Sequence, residues 1–127
     1  MTAVVLDTSA LIASILDEPG GEALLDEKVE WILSSVSLAE AVGVLMRKGY
    51  TRHDARQTID AFDLRIVDFD RALAEDAGSL TTQTRPFGLS LGDRACLALA
   101  AREKAPALTA DHAWHGLDVG VDIQFIR

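Results

Sequence analysis

A run of four apolar residues, Ala3, Val4, Val5 and Leu6, constrains the fold most. It is cut off by Asp7 and followed at once by Thr8, Ser9 and a second apolar segment, Ala10 to Leu16 (ALIASIL). The first run is short and rich in β-branched residues, which suits a strand buried on both faces, as in a parallel sheet. Asp7, Thr8 and Ser9 are all good helix N-cap types, and the segment after them reads as a helix. The chain is thus expected to go strand, carboxylate, helix. Ligands of open α/β sheets bind outside the carboxyl ends of the strands, and Asp7 stands at such an end. Taken alone, Asp7 is better explained as a cap for the helix that follows.

The same alternation continues. Residues 17–21 (DEPGG) close the first helix, and Glu22 to Lys28 reads as a short second one. Trp31, Ile32 and Leu33 form a second strand. Ser37 and Glu40, three apart before an apolar run, match a capping box. The helix they open carries Leu38, Val42, Leu45 and Met46 at the spacing of one buried face, and Gly49 ends it. Thr51 caps a helix reaching Phe62. A strand is expected within 65–69, a helix from Asp70 to about Thr82 and a loop over 82–89. Ser90 then opens the most strongly patterned helix, SLGDRACLALAARE, with Asp93 in its first turn. Ala107, Leu108 and Thr109 form a fourth strand that ends at Ala110 and Asp111, and a last strand lies within 119–126. Short strands alternating with helices predict a three-layer α/β/α sandwich around a central parallel sheet.

The 127 residues are expected to form a single domain, 1–127. No apolar run approaches the ~18 residues of a membrane span. The start of the chain lacks a basic n-region, so no signal peptide is expected. The lone cysteine, Cys96, lies within a helical pattern and reads as a small buried hydrophobe. Together these features predict a cytoplasmic protein. The net charge of −8 argues against a nucleic-acid partner unless part of it serves a cation. Setting four carboxylates aside leaves 16 acidic against 12 basic residues, so a polyanion must be held locally.

Four carboxylates share one kind of address. Asp7 and Asp111 each follow a strand, and Glu40 and Asp93 each lie in the first turn of a helix by this reading. In parallel α/β units these positions fall on one edge of the sheet, so all four are expected to converge. Converging anions are costly without a cation among them. Oxygen-only ligation suits Mg²⁺ or Mn²⁺, and such an ion activates water and clamps phosphoryl oxygens. Each position also has a purely structural explanation: two capping boxes and the start of a turn.

The stretches VVLDTSALIA, SLAE, LSLGDRACLALA and LTAD followed by Trp114 resemble a PIN domain, and more closely a VapC-type toxin of a bacterial toxin–antitoxin pair. The resemblance covers essentially the whole chain, and GLSLGDRACLALA is its most specific part. It implies a Mg²⁺- or Mn²⁺-dependent endoribonuclease that hydrolyses RNA phosphodiesters with metal-bound water, leaving a 5′-phosphate and a 3′-hydroxyl. It implies strand order 3-2-1-4-5, which puts the strands ending in Asp7 and Asp111 side by side. Asp7, Glu40, Asp93 and Asp111 fall on the family's acidic positions, with Asp7 and Asp93 the firmest metal ligands. Ser9 falls where the family often has a hydroxyl that orders the site. A VapB-type antitoxin that blocks the site and a homodimer are implied as well, with the apolar residues of 37–48 and 51–62 as candidate contacts.

Other residues carry weaker signals. His112 and His115 lie close to Asp111 in sequence and read as a metal pair or a general base, which the family pattern does not require. Arg85 and Arg94 are candidate contacts to RNA phosphates, and Arg102 is equally a solvated helix residue. Trp31 and Trp114 read as core or rim packing. Among rival functions, a phosphatase or phosphotransferase with an aspartyl nucleophile wants a second Asp two residues on, where this chain has Ser9. A receiver domain needs paired acids and a late lysine that are not evident. A non-catalytic interaction module, its carboxylates only capping helices, is separated by metal binding.

Overall fold

Why β1 occupies the centre of the protein follows from its residues. In the computed structural model, which describes residues 2–127, β1 (Thr2–Leu6) is flanked in parallel by β2 (Val29–Ser34) and β4 (Ala107–Thr109). β3 (Arg65–Val67) and β5 (Ile123–Phe125) lie outside them, giving the all-parallel order β3-β2-β1-β4-β5. The β1 side chains alternate between two cores. Val5, with Ile32 and Ala107, packs under α4 (Arg71–Ser79) and α6 (Leu91–Glu103). Val4 and Leu6, with Leu33 and Leu108, pack under α1 (Thr8–Ile15), α2 (Ser35–Arg47) and α3 (Arg52–Asp60). A strand with helices on both faces has no polar side, which is why its sequence reads as a continuous apolar run. The expected three-layer sandwich and strand order are both present. Trp31, Trp114 and Cys96 are buried.

The chain leaves β2 on one side of β1 and returns through β4 on the other. The carboxyl ends of β1 and β4 therefore meet at the point where the strand order reverses. The Asp7 N–H extends the pairing by one step, donating to the Leu108 carbonyl at 2.9 Å.

Several expected boundaries move. Glu22 to Lys28 is a 3₁₀ stretch, Gly21–Leu25, rather than an α-helix. The expected 82–89 loop holds the four-residue helix α5 (Thr81–Thr84) and a 3₁₀ turn, Arg85–Phe87. The largest correction concerns Ser37. β2 runs straight into α2, and the last strand residue, Ser34, caps the helix by accepting the Val36 N–H at 3.1 Å. Ser37 thus lies inside α2 rather than at its start, and Glu40 sits in the second turn, not the first. The competing capping signal lost because an equally good cap stood three residues earlier.

Candidate active site

The four expected carboxylates line one cleft of about 480 Å³ at the carboxyl edge of the sheet, together with Thr8, Ser9 and Arg47. Asp7 is the most unusual of them. It occupies the N-cap position of α1 but makes no side-chain cap hydrogen bond. Its carboxylate instead accepts the Ser9 hydroxyl at 2.6 Å and the Thr109 hydroxyl at 2.9 Å, both on Oδ2. Ser9 is held by the Ala110 N–H at 2.9 Å, and Thr109 receives the Asp111 N–H at 3.0 Å. These bonds tie the ends of β1 and β4 together through Asp7. Asp7 is only 3% exposed. Burial pushes its carboxyl up to about 6, Asp93 and Glu40 push the same way, and the two hydroxyls pull it down.

Asp93 lies in the first turn of α6 as expected. It forms a full capping box with Ser90: the Ser90 hydroxyl accepts the Asp93 N–H at 3.2 Å, and Asp93 accepts the Ser90 N–H at 2.9 Å. Burial raises its carboxyl above the usual range against the pull of those bonds. Glu40 projects from α2 over the start of α6. Its Oε1 accepts the Thr8 hydroxyl at 2.7 Å, and its carboxylate lies so close to Gly92 that a Cβ there would collide with it. This role for Gly92 was not read from the sequence; the only available signal was a glycine in the first turn of a strong helix. Asp111 is exposed and accepts the Ala113 N–H at 2.9 Å, capping a 3₁₀ turn, His112–Trp114. The carboxylate that seemed a candidate cap, Asp7, does not cap, whereas Asp111 does.

Thr8 and Thr109 complete the site and were not singled out from the sequence. The hydroxyl at Thr8 was legible only as a generic cap type, and Thr109 only as the end of a strand. The Ser37 hydroxyl is fully buried with no partner. Arg94 is half-buried, with Nη1 donating to the Thr81 hydroxyl at 3.2 Å and Nε buried without a partner. Arg85 lies in the Arg85–Phe87 turn and is exposed. The His112 Nε2–H donates to the Arg127 carbonyl at 2.7 Å, so this ring is engaged elsewhere than with Asp111.

Among the described residues, no three Asp, Glu, His or Cys side chains stand close enough together to form a ready-made metal cage. The donor set still fits a hard cation. Its atoms are all oxygens, one carboxylate is buried among hydroxyls and makes no ion pair among the described residues, and Mg²⁺ typically keeps several waters and takes only one or two carboxylates.

A parallel α/β/α sheet with an acidic cleft at its switch point defines the class, and comparison with known proteins narrows it. The model of the PIN domain matches residues 4–119, so the chain belongs to the PIN domain family. A search of curated protein sequences found no match. Among solved structures, a VapBC-5 chain from Mycobacterium tuberculosis, of the VapBC family of toxin–antitoxin systems, is 26% identical. The match has TM-score 0.67 and covers 100% of this chain and 99% of that one. DNA-bound VapBC from Salmonella typhimurium aligns over the full length of both chains with TM-score 0.77 and 18% identity. VapC20 of M. tuberculosis, a sarcin–ricin loop cleaving toxin, aligns with TM-score 0.70 and 19% identity, covering 91% of this chain and 96% of that one. At such identities the last two likenesses concern the fold. Among the described residues no helix is long and apolar enough to cross a membrane.

Proposed function

We propose that this protein is the toxin of a VapBC-type toxin–antitoxin pair and acts as a Mg²⁺- or Mn²⁺-dependent endoribonuclease. The observation that carries this reading is Asp7: a buried carboxylate at the switch point, raised by burial, held by two hydroxyls and in no ion pair among the described residues. Such a group is poorly explained as scaffolding, because it contributes no cap and is costly to ionise where it stands. Asp7 and Asp93 are the residues to hold the ion, with Glu40 and Asp111 acting directly or through water. When bound, the ion supplies positive charge to the phosphate and lowers the pKa of water. Ser9 and Thr109 fix the Asp7 carboxylate and leave its other oxygen, Oδ1, free of them. Thr8 and the missing side chain of Gly92 fix where the Glu40 carboxylate sits. Arg85, exposed in the loop before α6, is a candidate phosphate contact. Arg94 is a weaker one, because its guanidinium is half-buried against α5.

The rival aspartyl phosphotransferase is disfavoured by Ser9, which donates its hydroxyl to Asp7 where that chemistry wants a second acid. The partner is a VapB-type antitoxin, and the chain pairs with a second copy of itself. The face shared by α2 and α3, with Leu38, Val42, Ile59 and Ile66 around a groove of about 420 Å³, is offered for these contacts. Production of the chain alone in a bacterium should arrest growth, and co-production of the cognate antitoxin should restore it. Normal growth with folded, abundant protein would count heavily against the toxin assignment.

A further inference from the structure

We propose that the outward face of His115, stacked on Phe125, is a nucleobase platform that seats a base of the RNA beside the acidic cleft. The proposal rests on the reading of the chain as an RNA-cleaving enzyme and adds a binding subsite to it. The His115 and Phe125 rings lie nearly parallel, with centroids 3.9 Å apart and planes 13° from each other. His112 stands edge-on to both, at 5.3 Å from His115 and 6.0 Å from Phe125. The cluster is held from several sides. Phe125 ends β5 and packs half-buried on the core, the His112 imidazole is tied to the Arg127 carbonyl, and the His115 N–H donates to the His112 carbonyl at 3.1 Å. Trp114 and Leu117, buried on either side of His115, anchor the turn from beneath. His115 itself remains exposed, so one face of its ring is covered by Phe125 while the residue as a whole faces solvent.

The platform is positioned relative to the cleft by the same turn. Asp111, which lines the cleft, caps this turn, and His115 stands at the turn's other end. The chemistry also suits an acidic chain. With a net charge of −8, long-range attraction to RNA is absent, whereas stacking on an aromatic face needs no charge and accepts any base. Core packing explains Phe125 but not an exposed ring laid flat upon it. Among the described residues the two imidazoles belong to no group of three metal-ligating side chains.

The test is binding of a fluorescein-labelled single-stranded RNA 20-mer of mixed sequence, with EDTA present to prevent cleavage. The buffer is set at about pH 8. His115→Leu should weaken binding by roughly 5- to 150-fold, the worth of one stacked base, without changing the salt slope. His115→Tyr should restore it. On the same chain with abasic sites, parent and His115→Leu should bind alike. Equal affinity of parent and His115→Leu for intact RNA, or no binding in EDTA by a parent that cleaves RNA once Mn²⁺ is added, would overturn the platform and leave the enzyme assignment standing. A His115→Leu loss that persists on abasic RNA would also overturn it, by showing a contact to the backbone. A parent that neither binds nor, with Mn²⁺ added, cleaves RNA would sink the enzyme reading itself, and the platform with it.

Discussion

Asp7 and Asp70 have the same side chain and the same local address, yet the fold drives their carboxyls in opposite directions. Each follows a strand, each has extended backbone, and each stands at the N-cap of a helix. Asp70 behaves as its position suggests. It accepts the Leu73 N–H at 2.9 Å and a bidentate pair from Arg102 at 2.9 and 3.0 Å, and the Arg102 guanidinium holds its carboxyl down at about 2. Asp7 leaves its helix uncapped, turns to two hydroxyls, meets two carboxylates instead of a guanidinium, and is pushed up to about 6 by burial. The difference lies in the tertiary surroundings: Asp70 is paired with a guanidinium, whereas Asp7 is buried against two hydroxyls with two carboxylates nearby.

The largest effect should come from Asp7→Asn. RNA cleavage should fall by more than about 100-fold, since even residues behind metal ligands typically cost ~10–100-fold. Stability should move the other way. The Asp7 carboxyl is raised above its unfolded value, so its ionised form destabilises the metal-free protein at pH 8, by about 2–3 kcal/mol. That cost is relieved as pH falls through about 6 towards about 4. Denaturation in EDTA at pH 8, 6 and 4 should therefore show the variant more stable at pH 8 and the difference closing at low pH. Parallel curves would mean that Asp7 is not the destabilised group.

A smaller effect is expected from Gly92→Ala, which reaches the site without touching a carboxylate residue. The new Cβ would displace the Glu40 carboxylate, the mobile end of a flexible side chain, so cleavage should fall roughly tenfold or more. Folding stability should hold or rise by up to ~1 kcal/mol, as Ala favours helix over Gly. Unaltered kcat and KM would show that the position of Glu40 does not matter.

Asp111→Asn sharpens the comparison from the cap side. Asp111 is exposed and caps a turn, a role that Asn fills equally well. Melting of the metal-free variant should stay within about 0.5 kcal/mol of the parent. The gain that charge repulsion alone would suggest at Asp111 belongs instead at the buried Asp7. A rise as large as that of Asp7→Asn would reverse this assignment.

The smallest effect is expected from Arg102→Met, which removes the partner of Asp70. The pair is exposed, so the loss should be slight, confined to low salt and without effect on cleavage. Since the Asp70 carboxyl is lowered, the stability it contributes is present above about pH 4 and lost as pH falls towards 2. A salt-independent loss would show that Arg102 acts through packing.

Much of this was legible in the sequence, for identifiable reasons. The continuous apolar run of β1 announced a strand buried on both faces, and the order of elements predicted a parallel sheet with the four carboxylates on one edge. Local rules failed where two signals competed or where distance along the chain was large. Ser34 outcompeted Ser37 as a cap, which moved Glu40 one turn along. The choice between Asp7 and Asp111 as the capping acid turned on Thr109, 102 residues from Asp7, whose hydroxyl the folded sheet brings to its carboxylate. The clearance at Gly92 depends on α2 meeting α6, which no periodicity within either helix encodes. The arrangement of His115 on Phe125 likewise depends on β5 lying beside β4.

The claim that Asp7 is held ready for a cation is tested most directly by cleavage of total RNA by the parent and by Asp7→Asn, each with Mg²⁺, with Mn²⁺ and with EDTA. The account predicts cleavage by the parent with either ion, none in EDTA, and almost none by the variant under any condition. Undiminished cleavage in EDTA, or a variant as active as its parent, would contradict it.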